Sequence, residues 1–181
     1  MSEQVLVERC QQNDNTARAE LYRTFAPRLM AVCLRYAAHR EEAEDMLHDA
    51  FLKIFATLGS FRWTGDGSLW VWMEKLTAHV AVDALRKGNL LSVVSYDDST
   101  EAYTEPSTDD MACIPAEVLM QFISELPAGY RTVFNLFCME QFTHKEIARM
   151  LNIKEKSSSS QLARAKSLLA ARIQRYINEE L

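Results

Sequence analysis

The stretch Thr143–Leu169, THKEIARMLNIKEKSSSSQLARAKSLL, decides how the C-terminal part of the chain folds. Thr143 and Glu146 have the spacing of a capping box, in which the hydroxyl and the carboxylate each accept a backbone N–H at a helix start. Asn152 suits the left-handed turn that ends a helix. A short capped helix is therefore predicted, and its inward-facing residues are Ile147, Ala148 and Leu151.

A second, longer helix is predicted to follow after a short turn, from near Lys156 to about Tyr176. Its apolar residues repeat at helical spacing, at Leu162, Ala165, Leu169, Ile173 and Ile177. Two helices joined in this way form a helix-turn-helix, whose second helix fits the major groove of DNA.

The first turns of this second helix carry the candidate DNA contacts. Arg and Lys favour phosphate or guanine, Gln favours adenine, and Ser is permissive. A run of four serines is also typical of a solvated helix start, so this alternative stays open for the segment taken alone. The candidate residues are Lys156, Ser157, Ser159, Ser160, Gln161 and Arg164.

The distribution of charge favours a nucleic-acid partner, although the formal net charge of −5 first argues against one. The net charge is −1 over 1–87, −8 over 88–130 and +4 over 131–181. The acidity is thus concentrated in the middle, and the predicted helix-turn-helix lies in a basic region that can attract phosphates.

Length and composition predict an all-α protein of two small helical domains. The chain has 181 residues but only five Gly and four Pro, which favours helices over a sheet protein rich in turns. Residues 91–115 are rich in Ser, Thr and Asp and have no helical period, so we expect a flexible acidic linker there. The predicted domains are 1–90 and 116–181.

Apolar spacing predicts the other helices. They are expected over about 2–12, 17–38, 41–58, 68–87, 118–126 and 127–137. Pro27 implies a kink or a break in the second helix. Gly59 can end the third helix, and Ser68 is the predicted N-cap of the fourth.

No enzyme motif of the GxxxxGK[ST], GxGxxG, HExxH or GxSxG type occurs, so we expect no catalytic residues and no cofactor. His39 and His48 lie near several acidic residues and could in principle bind a metal, but a metal site is not the favoured interpretation. The four cysteines form no CxxC and are predicted to be buried free thiols. They are Cys10, Cys33, Cys113 and Cys138.

No segment has the character of a signal peptide, and no apolar stretch approaches the roughly 18 residues that a membrane span needs. The expectation is a cytoplasmic protein without a membrane span.

Two independent sets of residues carry a family resemblance. The C-terminal set is Leu126-Pro127, Arg131, Val133-Phe134, Glu146-Ile147-Ala148, Leu151, Ile153, Leu162 and Arg164-Ala165. The N-terminal set is Glu42–Lys53, EAEDMLHDAFLK, followed by Trp72-Met73, Leu76, Asp83 and Leu85-Arg86. Both resemble the extracytoplasmic-function (ECF) sigma factors of the sigma-70 family, the first set in region 4 and the second in region 2.

The resemblance implies that the N-terminal domain binds core RNA polymerase, on a coiled coil of its largest subunit, and recognises and melts the minus-ten promoter element. It implies that the helix-turn-helix recognises the minus-thirty-five element. The polymerase contact then falls on the outer side of the predicted helix 41–58, where an exposed Leu could anchor a partner helix. The residues are Asp45, His48, Asp49, Leu52 and Lys53.

For the minus-ten element, the loop around Trp63 has two glycines that allow sharp turns, and the indole could stack on an unpaired base. A lone loop Trp is nonetheless more often a packing residue. Further along, three residues on one face of the fourth helix could line a strand-binding surface. The candidates are Arg62, Trp63, Thr64, Asp66, Ser68, His79, Asp83 and Arg86.

The chain departs from the family pattern at His48 and His79, where Gln and Asn are usual, and in the serine run of the second helix. These departures concern base preference and polymerase contact, not the fold. The competing hypothesis is a helix-turn-helix transcription regulator that does not act as a sigma subunit. The resemblance also implies an inhibitory anti-sigma partner.

Overall fold

The structure is a computed structural model that describes residues 2–88 and 114–180. The chain divides into two compact units, Met1–Gly88 and Asn89–Leu181, called here the N-terminal unit and the C-terminal unit. All regular elements in the described ranges are helical, so the predicted all-α class is confirmed. Residues 91–113 of the predicted linker lie outside the described residues.

The N-terminal unit is a bundle of four helices. They are α1 (Glu3–Gln11), α2 (Asn15–Tyr36), α3 (Arg40–Thr57) and α4 (Ser68–Lys87), with a 3₁₀ turn at Leu58–Ser60 after α3. The helices α2, α3 and α4 pack against one another, and α1 lies on α2 and the 3₁₀ turn. Leu29, Ile54 and Met73 are fully buried, one from each of the three long helices. Burial of such side chains stabilises the bundle by about 1.5–3 kcal/mol each.

The helix α2 continues through Pro27, so of the two predicted alternatives, a kink or a break, the break is not formed. Pro27 removes one backbone N–H donor from the ladder. However, Phe25 and Leu29 on either side of it are both buried. Because both halves of α2 bury the same face, packing holds the helix in one piece.

Two predicted helix ends are corrected. Gly59 does not cap α3, because the chain tightens into the 3₁₀ turn and its neighbour Leu58 is buried. Ser68 is not the N-cap of α4 but its first residue, and the cap position is taken by Gly67 with φ +86°. The Ser68 hydroxyl instead accepts the N–H of Thr64 at 3.3 Å.

The C-terminal unit is also built from helices. They are α5 (Ala116–Ser124), α6 (Ala128–Phe134), α7 (His144–Leu151) and α8 (Glu155–Glu180), with a π-helical turn at Asn135–Met139 after α6. The long α8 packs against α5, α6 and α7. One core cluster of this unit consists of Ile123, Leu126, Ala165 and Leu169. Two arginines close the end of α5: Arg131 donates to Ser124 O at 2.6 Å and Arg172 pairs with Glu125 at 2.5 Å.

The cysteine prediction is correct for Cys10 and Cys33, which are buried and free, but wrong for Cys138, which is exposed. The π-helical turn buries Asn135 and Leu136 and leaves Cys138 on the outside. Burial raises the pKa of the Cys33 thiol to about 12. Cys113 lies outside the described residues.

Within the described ranges, no helix is both long and apolar enough to cross a membrane.

Candidate functional site

The helix-turn-helix of the C-terminal unit is held by contacts that are close in sequence. Thr143 Oγ1 accepts the Glu146 N–H at 3.3 Å, and Glu146 Oε2 accepts the Thr143 N–H at 2.8 Å. This is the predicted capping box. Asn152 ends α7 at φ 54° and ψ 47°, and the next N–H, of Ile153, returns to Ala148 O at 3.0 Å. The predicted left-handed turn is confirmed.

A polar and aromatic contact joins α7 to α8. His144 Nδ1 and Ser158 Oγ are 3.0 Å apart and share a hydrogen bond, and the His144 ring stacks on Phe137 with centroids 4.5 Å apart. The Ser158 side chain is fully buried. This serine, unlike the other three, therefore takes part in the contact between the two helices and does not face outward.

The six predicted DNA contacts of α8 do not share one environment. Lys156 and Ser159 are exposed, while Ser157, Ser160, Gln161 and Arg164 are half-buried. The Ser160 hydroxyl donates to Lys156 O at 2.9 Å. Gln161 Oε1 lies 3.6 Å from where a Cβ would stand on Gly129 of α6. Ser160 and Gln161 are thus partly engaged within their own unit.

Four exposed residues lie along one side of the first half of α8, and we call them the recognition face: Lys156, Ser159, Ala163 and Lys166. Their spacings of three, four and three place them on one side of the helix. The Ala163 methyl could contact a thymine methyl in the major groove, with lysines at either end for phosphates. Sequence reasoning did not name Ala163 as a candidate, although its place four residues after Ser159 and outside the apolar repeat could have indicated its exposure.

The predicted polymerase contacts lie together on α3. Asp45, His48, Asp49, Leu52 and Lys53 are all exposed, and we call them the α3 outer face. The opposite side of the helix buries Met46, Ala50 and Ile54 in the core. Leu52 is 57% exposed, more than the other large apolar side chains that the structure describes.

The α3 helix is held without a capping side chain at His39. Glu42 Oε2 accepts the Ala38 N–H at 2.9 Å, which satisfies a donor at the helix entry. Arg40 and Glu44 form an exposed pair at 2.9 Å one turn apart. Over residues 2–88 and 114–180, no three His, Cys, Asp or Glu side chains group so that they could hold a metal ion.

The loop between the 3₁₀ turn and α4, residues 61–67, carries four of the predicted minus-ten contacts. Arg62, Thr64 and Asp66 are exposed. Trp63 is half-buried, and its Nε1 atom is buried with no hydrogen-bond partner in the described part of the chain. Any exposed side-chain surface of Trp63 is therefore carbon, the kind of surface on which a base stacks.

Both ends of this loop are tied to the helix bundle. Phe61 packs on Trp72 of α4 with ring centroids 4.9 Å apart. The carboxylate of Glu3 on α1 accepts the Gly67 N–H at 3.0 Å and the Leu69 N–H at 3.2 Å. Gly67 needs its freedom from a side chain because its φ is +86°. Sequence reasoning did not identify Glu3.

His79, Asp83 and Arg86 are exposed along α4, at spacings that place them on one side. His79 is eleven residues beyond Ser68, about 16 Å along the helix axis. The loop and this row consequently form two ends of an extended surface and not one pocket.

Comparisons with known proteins identify both units. Residues 21–90 match the family model "Sigma-70 region 2", and residues 116–169 match "Sigma-70, region 4". The chain belongs to the sigma-70 family. It is an ECF sigma factor, an alternative sigma factor of RNA polymerase. Each matched region contains the surfaces described above for its unit.

Curated relatives of similar length carry the same role in their names. The chain is 24% identical to the RNA polymerase sigma-H factor of Pseudomonas aeruginosa, over 98% of this chain and 96% of that protein. It is 25% identical to the ECF sigma factor SigM of Bacillus subtilis, over 89% and 98%. The ECF sigma-E factor of Escherichia coli is 24% identical, over 96% and 95%.

A solved structure of CnrH in complex with the cytosolic domain of CnrY resembles the fold of this chain. The TM-score is 0.50 at 15% sequence identity, and the match covers 94% of this chain and 96% of that one. At this identity, the likeness supports the helical architecture only.

Proposed function

We propose that this ECF sigma factor uses three separate surfaces to bind core polymerase and the two promoter elements. The α3 outer face binds core polymerase, and the recognition face of α8 binds the minus-thirty-five element. The loop 61–67, together with His79, Asp83 and Arg86 on α4, recognises the minus-ten element. The observation that carries the proposal is that each family-matched region presents its candidate residues on an exposed surface.

The polymerase contact is proposed for α3 because its outer face has the composition of a protein interface. Leu52 gives an exposed apolar anchor, and the charged side chains of Asp45, Asp49 and Lys53 form a polar rim around it. Interfaces commonly take most of their binding free energy from one or two such anchors. A helical partner such as a coiled coil could pack across this face.

The minus-ten contact is proposed for the N-terminal unit because the loop offers an aromatic ring and donors close together. Trp63 can stack on an unpaired base, while Arg62 and Thr64 can donate hydrogen bonds to base edges or to the DNA backbone. The Asp66 carboxylate can accept hydrogen bonds from base amino groups. Ser68 begins α4, and His79, Asp83 and Arg86 would continue the strand path along that helix.

The minus-thirty-five contact is proposed for α8. Of the six predicted contacts, Lys156 and Ser159 are exposed, and Ala163 and Lys166 complete the recognition face. Ser157, Ser160, Gln161 and Arg164 border it and would contact DNA at its edges after small side-chain rotations. The spread of lysines suits phosphates, whereas Ser159 and Ala163 suit base edges.

Acting as a specificity subunit, the chain would contribute binding and no catalytic group of its own. Core polymerase and promoter DNA would be its partners, and its place of action the bacterial cytoplasm. An anti-sigma partner is also proposed. The family membership supports it, and CnrH, whose fold this chain resembles, was solved in complex with the cytosolic domain of CnrY.

Runoff transcription with bacterial core polymerase and a genomic promoter library tests the proposal. We expect initiation that depends on this chain, at sites sharing two spaced sequence elements. DNA binding without binding to core polymerase would instead favour the regulator hypothesis and overturn the proposal.

A further inference from the structure

We infer that α1 is a positioning element for promoter recognition. Glu3 and Gln11 hold the two ends of the loop 61–67 and thereby determine how strongly the protein discriminates between minus-ten sequences. This inference rests on the proposed function of the loop 61–67. The helix α1 precedes the matched region 2, which begins at residue 21. Neither residue belongs to the predicted contacts.

Glu3 supplies the cap that α4 lacks. The N-cap residue Gly67 has no side chain, and α4 has no acidic residue in its own first turn. The Glu3 carboxylate accepts the Gly67 N–H through Oε2 and the Leu69 N–H through Oε1. It therefore satisfies donors at the helix start and places a negative charge at the positive end of the helix dipole.

Gln11 holds the other end of the loop. Its Nε2 group donates to Leu58 O at 3.0 Å and to Phe61 O at 2.8 Å. Both of its amide protons are thereby used, one on the 3₁₀ turn and one on the first loop residue. The direction of the chain as it enters the loop depends on these two bonds.

The two supports come from one rigid element. Glu3 and Gln11 are eight residues apart, about 12 Å along a helix axis. The helix between them is anchored by the buried side chains of Leu6, Val7 and Cys10. A loop fixed at both ends against a packed helix keeps its contact residues in place before DNA binds, which lowers the entropic cost of recognition.

The chain offers matched control positions within α1 and at its C-cap. Glu8 and Gln12 are exposed and have the same side-chain types as Glu3 and Gln11. The Glu8 carboxylate accepts a hydrogen bond from Gln4 at 3.0 Å within α1. Substitutions at Glu8 and Gln12 thus change charge or polarity equally without touching the loop.

The test compares Glu3→Gln and Gln11→Ala with Glu8→Gln and Gln12→Ala in holoenzyme assembled from core polymerase and the full chain. The template is a promoter selected by wild-type holoenzyme in the genomic runoff, used intact and with its minus-ten element scrambled. The readout is the ratio of transcripts from the two templates. Affinity for core polymerase and the thermal unfolding midpoint are measured for every variant.

We expect Glu3→Gln and Gln11→Ala each to lower this ratio roughly five-fold to ten-fold, the range expected for loss of a helix cap or charge-assisted bond. The affinity of both variants for core polymerase should stay at the wild-type value. The two control variants should keep both the wild-type transcript ratio and the wild-type affinity for core polymerase. If Glu3 and Gln11 only stabilised the fold, their variants would have a lower unfolding midpoint. The transcript ratio measured with correctly folded holoenzyme would then be unchanged.

The experiment distinguishes failure of the proposed function from failure of the inference about α1. If wild-type holoenzyme does not distinguish the intact from the scrambled template, the proposed function of the loop is wrong. If wild type distinguishes them and the Glu3 and Gln11 variants match their controls, the inference about α1 is overturned and the proposed function stands.

Discussion

The two units support their proposed DNA-binding elements in different ways. In the C-terminal unit, the helix-turn-helix is fixed by partners three to fourteen residues apart, from the capping box to the His144–Ser158 bond. In the N-terminal unit, the loop 61–67 is fixed by Glu3 and Gln11, which are 47 to 66 residues from the groups they bind.

The difference has a physical consequence. A helix-turn-helix with local supports forms when α7 and α8 fold against each other and α8 packs on α6, and its candidate recognition residues lie on one continuous helix. A loop has no internal ladder of hydrogen bonds, so it needs distant groups to fix its backbone. Changes far from the loop should therefore alter minus-ten recognition, whereas minus-thirty-five recognition should respond to changes near α7 and α8.

The largest expected effect concerns the N-terminal unit's other surface. Leu52→Asp places a charge at the centre of the α3 outer face and should weaken binding to core polymerase roughly 100-fold, as loss of an interface anchor does. Equilibrium competition for core polymerase with a labelled sigma factor measures this change. Folding should be unaffected because Leu52 is 57% exposed.

The matched control is Leu34→Asp, at another exposed leucine of the same unit, on α2. It should keep core affinity within about two-fold of the wild-type value, as surface substitutions usually do. Equal losses in the two variants would show that α3 is not the specific contact.

The next effect concerns the recognition face. Ala163→Glu directs a carboxylate toward the bases and phosphates and should reduce transcription that depends on the minus-thirty-five element roughly 20-fold. Runoff from templates with this element intact or scrambled measures the change. Ala116→Glu makes the same substitution at an exposed alanine that begins α5, and it should have no effect.

Core affinity of the Ala163→Glu protein should equal that of wild type, because the two surfaces belong to different units. A loss of core affinity alongside the loss of transcription would contradict the separation of roles between them.

A smaller effect tests the local support of the helix-turn-helix. Thr143→Ala removes the hydroxyl of the capping box and should destabilise α7 by about 1 kcal/mol. Hydrogen exchange of the α7 amides should accelerate about five-fold, with no change in α3 or α4. Thr24→Ala, at an exposed position in α2, is the control. Faster exchange in both units would contradict the conclusion that the helix-turn-helix is supported locally.

The smallest effect is a pH dependence at the start of α2. Asp14 accepts the Thr16 and Ala17 N–H groups, and its pKa lies below the usual range, chiefly because Arg9 donates a hydrogen bond to it. A lowered folded-state pKa means that the ionised form stabilises the fold. This contribution is present above the unfolded pKa of about 3.9 and is lost as pH falls through the folded value.

Arg9→Ala should accordingly raise the pKa of Asp14 toward its unfolded value, as followed by NMR titration of the carboxyl carbon. Arg23→Ala, at an exposed arginine of α2, should leave the titration unchanged. If Asp14 titrates alike in Arg9→Ala and wild type, the pairing is not formed in solution.

The same contrast between local and distant supports explains what the sequence could predict. The capping box of α7 and the turn at Asn152 depend on neighbouring residues, and both are confirmed. The prediction of Ser68 as the N-cap of α4 was wrong, because the capping carboxylate is that of Glu3, 66 residues from the Leu69 amide. No pattern within the loop indicates this partner.

Side-chain environment was harder to predict than helix position. The start of α8 follows from its apolar repeat, although the helix ends at Glu180 and not near Tyr176 as predicted. The packing of Gln161 toward Gly129 depends on where α6 lies. Ser158 is likewise buried where α7 places His144, its hydrogen-bond partner. The assignment of individual residues to promoter or polymerase contacts stays a prediction that the substitutions above test.

The central claim is that one chain brings core polymerase to a promoter through two separately acting DNA-binding units. The most direct measurement is runoff transcription by core polymerase with the full chain, on a selected promoter with each element scrambled in turn. Wild type should lose transcription when either element is scrambled, while Ala163→Glu should respond only to the minus-ten element. Transcription that is indifferent to both elements, or absent with core polymerase, would contradict the claim.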